Sequence, residues 1–85
     1  MKEIALITGA SSGIGYEIAK IIAADKTDLL IVARSEKKLL EIKKEFEEKF
    51  KIDVFTVAAD LSSSEGIQTV CEVVHSNNLI VNYLV

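Results

Sequence analysis

The chain has 85 residues, 49% of them hydrophobic and 27% charged, with a net charge of −3 and no proline. That size holds one domain at most, burying roughly 60–65% of its unfolded surface, and the composition excludes a disordered chain. Lysines dispersed among glutamates argue against a nucleic-acid footprint, and no apolar run approaches the roughly 18 residues of a membrane span; no secretory signal is visible, acidic Glu3 preceding a short apolar run that glycines interrupt, so a soluble cytoplasmic protein is the default expectation.

Ile4-Ala5-Leu6-Ile7 is apolar at every position, the pattern of a strand buried on both faces of a parallel sheet. It runs into Thr8-Gly9-Ala10-Ser11-Ser12-Gly13-Ile14-Gly15, a tight glycine turn that opens a helical pattern. Strand, glycine turn and helix in that order form the phosphate-binding arrangement of a dinucleotide fold. Gly9 supplies positive φ at the strand end. Gly13 keeps a side chain from standing between the backbone and a pyrophosphate, and Gly15 lets the first helical turn lie close against the sheet. The free N–H groups of that turn, with the helix dipole, favour an anion. The plainer reading is a glycine-rich connection that holds nothing.

The helix begins at Ser12 or Gly13 and runs to about Ala24, with Ile14, Ile18, Ile21 and Ile22 expected inward and Tyr16, Glu17 and Lys20 toward solvent or the site. Asp25-Lys26-Thr27-Asp28 is a polar connection to a second buried strand, Leu29–Ala33, which completes a right-handed βαβ unit. Ser35 caps the next helix, which extends to about Lys49 with Leu39, Ile42, Phe46 and Phe50 on one side. Its Lys/Glu face reads as solvated surface, with Glu45 and Lys49 in the favourable i,i+4 order.

Ile52–Ala58 is a third strand, ended by Asp60-Leu61. Ser62-Ser63-Ser64-Glu65 fits a capping box with Ser62 at the N-cap and Glu65 at N3. Ile67, Val70, Cys71 and Val74 make a narrow apolar stripe, in which Cys71 is expected as a buried small hydrophobe, and Gly66 weakens the first turn. A lone cysteine permits neither an internal disulfide nor a metal cluster and suits a reducing compartment. His75-Ser76-Asn77-Asn78 ends the helix, and Leu79–Val85 reads as a fourth strand.

The order β-α-β-α-β-α-β predicts a Rossmann-like α/β half: a four-stranded parallel sheet in order 3-2-1-4, the first two helices on one face and the third on the other. One narrow helix is thin cover for the second face, and the fourth strand presents an open edge. The expected state is therefore a homo-oligomer, an aggregation-prone piece, or a single incomplete domain spanning residues 1–85 whose other half is missing.

Set between strand and helix, Thr8–Gly15 resembles the TGxxxGIG turn of the short-chain dehydrogenase/reductase family, and the resemblance covers essentially the whole chain. It implies that Gly9, Ser11, Ser12, Gly13, Ile14 and Gly15 wrap the pyrophosphate and adenosine side of a dinucleotide, with Thr8 holding the turn. NAD-preferring members carry an acidic residue where this chain has Ala33. A carboxylate there repels a 2′-phosphate, whereas the Arg34 guanidinium offers it a planar fork of donors. Arg34, helped by Ser35 and Ser11, thus resembles an NADP-type rather than an NAD-type selector; the plainer reading is a surface arginine at a strand end.

By the same resemblance Asp60 takes the adenine amino group with the backbone of Leu61 assisting, although Asp60 can equally brace the loop ahead of Ser62. The family's Asn-Asn-Ala-Gly on the fourth strand is here Asn82-Tyr83-Leu84-Val85, so only Asn82 is retained and larger side chains replace alanine and glycine.

The family's catalytic Ser and Tyr-x-x-x-Lys have no counterpart in the chain. Tyr16 and Lys20 have the spacing but sit one turn past the phosphate loop, with no room for a nicotinamide and a substrate, so no catalytic residue is assigned. His75 has no partner for a triad or a metal site, and no GK[ST] follows the glycine turn. Two classes remain: the NADP-binding portion of an oxidoreductase, inactive as this chain alone, or a non-catalytic nucleotide-binding or self-associating module.

Overall fold

The computed structural model describes residues 2–85. They form β1 (Lys2–Thr8), α1 (Gly13–Ala24), β2 (Asp28–Ala33), α2 (Glu36–Phe50), β3 (Val54–Ala58), α3 (Ser64–Ser76) and β4 (Leu79–Leu84). All strand pairs are parallel and the four-stranded sheet runs β3-β2-β1-β4, as the alternation of elements predicted. Side-chain alternation on the strands divides the core in two. Ala5, Ile7, Leu29, Ile31 and Ala33 face α1 and α2, while Ile4, Leu30 and Val32 face α3 with Val57, Val70 and Leu79. At the far end of the sheet Lys2 Nζ donates to Asp28 (3.2 Å) and Asp53 (2.6 Å), tying three strand ends together.

Helix α1 turns a different face inward from the one its isoleucines suggest. Gly15, Ala19 and Ala23 are its buried residues, at i, i+4 and i+8. Of the four isoleucines expected inward, Ile14 and Ile21 stand out in solvent at 78% and 70% exposure, Ile18 is half-buried and Ile22 packs against the core from its margin. Crowding is the cause: a Cβ on Gly15 would lie 2.2 Å from the carbonyl oxygen of Gly9. The helix therefore starts pressed against its own entry turn, and only a stripe of small residues permits that approach. Tyr16 is half-buried rather than solvent-facing, with its ring 5.7 Å from Phe46 of α2.

Helix α2 is capped as predicted, with Ser35 Oγ accepting from Lys38 N at 3.3 Å. Its charged face is more than a solvated surface. Lys43 Nζ donates to Val54 O (2.7 Å), and Glu47 accepts from Val54 N (3.2 Å), so the pair anchors the start of β3. Glu45 is engaged by the Tyr16 hydroxyl, while Lys49 lies over the Phe50 ring, 5.4 Å from its centroid.

Helix α3 is capped one residue later than the capping-box reading places it. Ser63 Oγ, not that of Ser62, accepts from Gly66 N at 3.0 Å, because Ser62 is taken by Asp60. Gly66 has a packing role: a Cβ there would lie 2.0 Å from Asp60 O, so glycine lets α3 start against the loop. Val70 is the buried anchor of the stripe, whereas Ile67 is 51% exposed and Cys71 is exposed. Cys71 is thus a surface thiol and not a core residue.

Strand β4 departs from regular pairing. Ile4 pairs with Val81 but Ala5 pairs with Tyr83, so Asn82 is an extra residue in a bulge. The bulge reverses the alternation beyond it, turning Tyr83 to the α1 side beside Ile21 and Ile22. Leu79 is the one buried residue of the strand.

Candidate functional site

In a parallel sheet the loops leaving the strands' C-terminal ends gather along one edge, and a crevice opens where the strand order reverses. Here β1 is the reversal point, with β2 on one side and β4 on the other. The first loop is a closed turn. Gly9 has φ +64°, and its carbonyl accepts from Ser12 N (3.1 Å) and Ser12 Oγ (2.8 Å). Ala10 N donates to Val32 O at 3.3 Å, which holds the loop over β2. Ser12 therefore spends its hydroxyl on the turn and leaves the N-terminal N–H groups of α1 without a side-chain cap. A Cβ on Gly13 would meet nothing within 4 Å, so the outer side of that helix start is open. A free, uncapped helix N-terminus with unobstructed backbone is suited to an anion.

Beside it lies a cleft of about 470 Å³. One wall is Thr8, Gly9 and Ser11; the second is Ala33, Arg34, Ser35 and Lys38; the third runs from Ala59 to Ser62. Arg34 follows directly on β2, and Lys38 stands one helical turn later, its backbone N–H fixed by the Ser35 cap. Two cations thus border the same space. Opposite them, Asp60 Oδ1 accepts from Ser62 Oγ (2.7 Å) and Ser62 N (2.9 Å). These bonds hold the Asp60 carboxyl below its ordinary range, with the Arg34 charge adding to the effect. The Asp60 carbonyl accepts from Ser63 N (3.2 Å) and Ser63 Oγ (2.9 Å), so this aspartate braces its own loop.

Of the residues singled out in the sequence, Gly9, Ser11, Arg34, Ser35, Asp60 and Leu61 line the cleft. Ser12, Gly13, Ile14 and Gly15 form the turn and helix start next to it. Asn82 is set apart, in the bulge of β4 on the other side of β1. Thr8 does hold the edge together, but through β4: its Oγ1 donates to Val85 O at 2.9 Å. Lys38 was missed by sequence reasoning; its signal was a second cation four residues after Arg34, in the first turn of a serine-capped helix.

Tyr16 lies outside the cleft. Its hydroxyl donates to the Glu45 carboxylate at 2.7–2.8 Å, and acceptance by that anion, with desolvation, pushes the phenol up to about 12. Such a group stays protonated at neutral pH and spans two helices. That is a structural latch.

The fold and this edge define a Rossmann-type nucleotide-binding α/β unit. The short chain dehydrogenase family matches residues 3–85, and the chain belongs to that family. It is 51% identical over 59 residues to the very-long-chain 3-oxoacyl-CoA reductase of Kluyveromyces lactis, a match covering 69% of this chain and 17% of that protein. To the fatty acyl-CoA reductase of Acinetobacter baylyi it is 54% identical over 46 residues, covering 54% of this chain and 16% of the relative. Among solved structures, L-sorbose reductase from Gluconobacter frateurii, complexed with NADPH and L-sorbose, superposes with a TM-score of 0.92 at 37% identity, covering 98% of this chain and 32% of that one. Alcohol dehydrogenase from Thermococcus sibiricus, complexed with 5-hydroxy-NADP, gives 0.91 at 32% identity, covering 99% and 36%. The chain corresponds to the N-terminal Rossmann portion of these proteins, about a third of the solved structures' length or less. Among the described residues, no helix is long and apolar enough to cross a membrane.

Proposed function

We propose that residues 1–85 form a single, incomplete dinucleotide-binding domain, the NADP-reading part of a short-chain reductase. One observation carries this reading: Arg34 and Lys38 border one cleft immediately after position 33, which is alanine and puts no carboxylate at the end of β2. Arg34 gives the phosphate a bidentate fork, Lys38 adds a point charge, and Ser35 and Ser11 supply hydroxyls. Asp60 keeps Oδ2 free of the Ser62 bonds for an adenine amino group, with Leu61 beside it. The turn from Gly9 to Gly15, with Ser12 bracing it and Gly13 open, receives the pyrophosphate, and Ile14 covers its outer side. Bound there, a nicotinamide nucleotide supplies the hydride chemistry of an oxidoreductase; this chain's residues bind and orient it.

Titration calorimetry tests the reading. NADPH is expected to bind at least about tenfold tighter than NADH, and Arg34→Ala to remove about that factor for NADPH alone. Preference for NADH, or unchanged NADPH binding in the variant, overturns it. Reductase turnover is expected to be absent from the 85-residue protein by itself, checked by NADPH oxidation at 340 nm against ketone substrates.

The exposure of β4 favours a second reading, a self-associating module with no catalytic role of its own. A monodisperse monomer at high concentration in light scattering removes it.

A further inference from the structure

We infer that Lys43 and Glu47 form a gate on the outer edge of β3, taking the place of a neighbouring strand and keeping a second copy of this chain from pairing there. Backbone geometry defines that edge. Leu29 N donates to Asp53 O and Ala59 N to Ala33 O, both at 3.0 Å, and the register runs one for one from Leu29↔Val54 to Ala33↔Ala58. In a parallel ladder alternate residues of a strand bond to the same neighbour, so the N–H and C=O of Val54, Thr56 and Ala58 turn away from β2. At Val54 both groups are taken. Lys43 Nζ donates to Val54 O at 2.7 Å, Glu47 Oε2 accepts from Val54 N at 3.2 Å, and the two side chains are joined at 3.0 Å. One donor and one acceptor on a single residue is what the opposite residue of an antiparallel strand supplies. Neither Lys43 nor Glu47 lines the nucleotide cleft.

The composition of β3 gives the gate its purpose. Val54-Phe55-Thr56-Val57-Ala58 is an uncharged run of mostly β-branched and aromatic residues, with no proline and no bulge in its pairing. Such a strand pairs readily through a free edge, and it carries none of the charges that blunt edges elsewhere. The charge comes from the helix instead. A second copy fits this edge about a two-fold axis at Thr56: Thr56 then meets its own copy, and Val54 meets Ala58 at each end, all through outward backbone groups. Because the pair is symmetric, a gate at Val54 in each chain closes both ends of it.

The test removes the gate and follows the edge. In the double variant Lys43→Met, Glu47→Leu the apolar stems remain, while the donor and the acceptor are gone. Sedimentation equilibrium is expected to give about twice the wild-type mass at equal concentration, since a two-fold pair closes as a dimer. Hydrogen exchange by NMR is expected to show the Thr56 and Ala58 amides slowed about tenfold or more against wild type. Adding Thr56→Pro, which removes an outward N–H and leaves the β2 ladder intact, should return the mass to that of wild type. An unchanged mass in the double variant, association without protection of Thr56 and Ala58, or association that survives Thr56→Pro overturns the inference. Wild-type protein supplies a reading that needs no variant to fold. Its Val54 amide should exchange about tenfold more slowly than that of Thr56, and equal exchange shows that no gate forms.

Discussion

Strands β2 and β4 flank β1 on its two sides, have the same length and are both strongly apolar, yet they meet opposite fates. In β2, Asp28-Leu29-Leu30-Ile31-Val32-Ala33, every residue after the first is buried. In β4, Leu79-Ile80-Val81-Asn82-Tyr83-Leu84, every residue after the first is exposed. The difference lies in the neighbours. β2 has a strand on each edge and helices on both faces, so its side chains meet α1 and α2 on one side and α3 on the other. Among the described residues β4 has one strand neighbour, and its first residue, Leu79, is the one the α3-side core buries. The same division marks the functional edge: the loops after β1, β2 and β3 line the polar cleft, and no residue of β4 does.

Paired substitutions give the largest expected effect. Leu30→Ala, which empties a fully buried position, should cost about 2–5 kcal/mol in urea denaturation, while Leu84→Ala should stay within about 0.5 kcal/mol. Equal costs would mean that β4 is covered in solution, by a second copy or otherwise, and would break the comparison.

The glycines of the cleft side come next. Gly15→Ala and Gly66→Ala each place a Cβ 2.2 Å and 2.0 Å from a backbone carbonyl, so each should lower stability by about 1–3 kcal/mol. Gly13→Ala, whose Cβ meets nothing, should leave the melting temperature unchanged or slightly raised while weakening NADPH binding. Loss of stability in Gly13→Ala with binding intact would assign that glycine to folding instead.

The Tyr16–Glu45 latch between α1 and α2 has a smaller, pH-marked signature. The folded phenol titrates near 12, above its ordinary value of 10.0, so its contribution is fully present below pH 10 and is lost as pH rises toward 12. Tyr16→Phe should lower stability slightly below pH 10, by the small amount expected of an exposed pair, and flatten the alkaline limb, so that the two proteins converge as pH approaches 12. An unchanged alkaline limb would show that the latch does not form. Smallest is the effect at Asp60: its depressed carboxyl contributes above the unfolded pKa and loses that contribution as pH falls through the folded one. Ser62→Ala should raise the Asp60 titration point in NMR, because both Ser62 bonds to Oδ1 favour the charged form and the hydroxyl's is the larger.

Much of the architecture was legible in the chain. The glycine turn, the serine cap of α2, the alternation of strands and helices and the order β3-β2-β1-β4 follow from local pattern and from the handedness of parallel crossovers. Arg34 and Asp60 were readable as residues of this edge because Arg34 follows β2 directly and Asp60 follows β3 after one intervening residue. Lys38 was harder to see, because its one signal, a cation four residues after Arg34, does not stand out in a Lys/Glu-rich helix; the fold places it at the cleft, in the turn capped by Ser35.

Sequence by itself determined which segments are strands and helices, how they connect and which loops share an edge, since those depend on periodicity, caps and chain chirality. Tertiary structure alone decided which face of α1 is buried, because the contact of Gly15 with Gly9 outranks the isoleucine stripe, and which serine caps α3, because Asp60 claims Ser62 first. It also decided that equally apolar β2 and β4 end up inside and outside. Burial is a property of what lies next to a residue, and hydropathy along the chain does not record the neighbour.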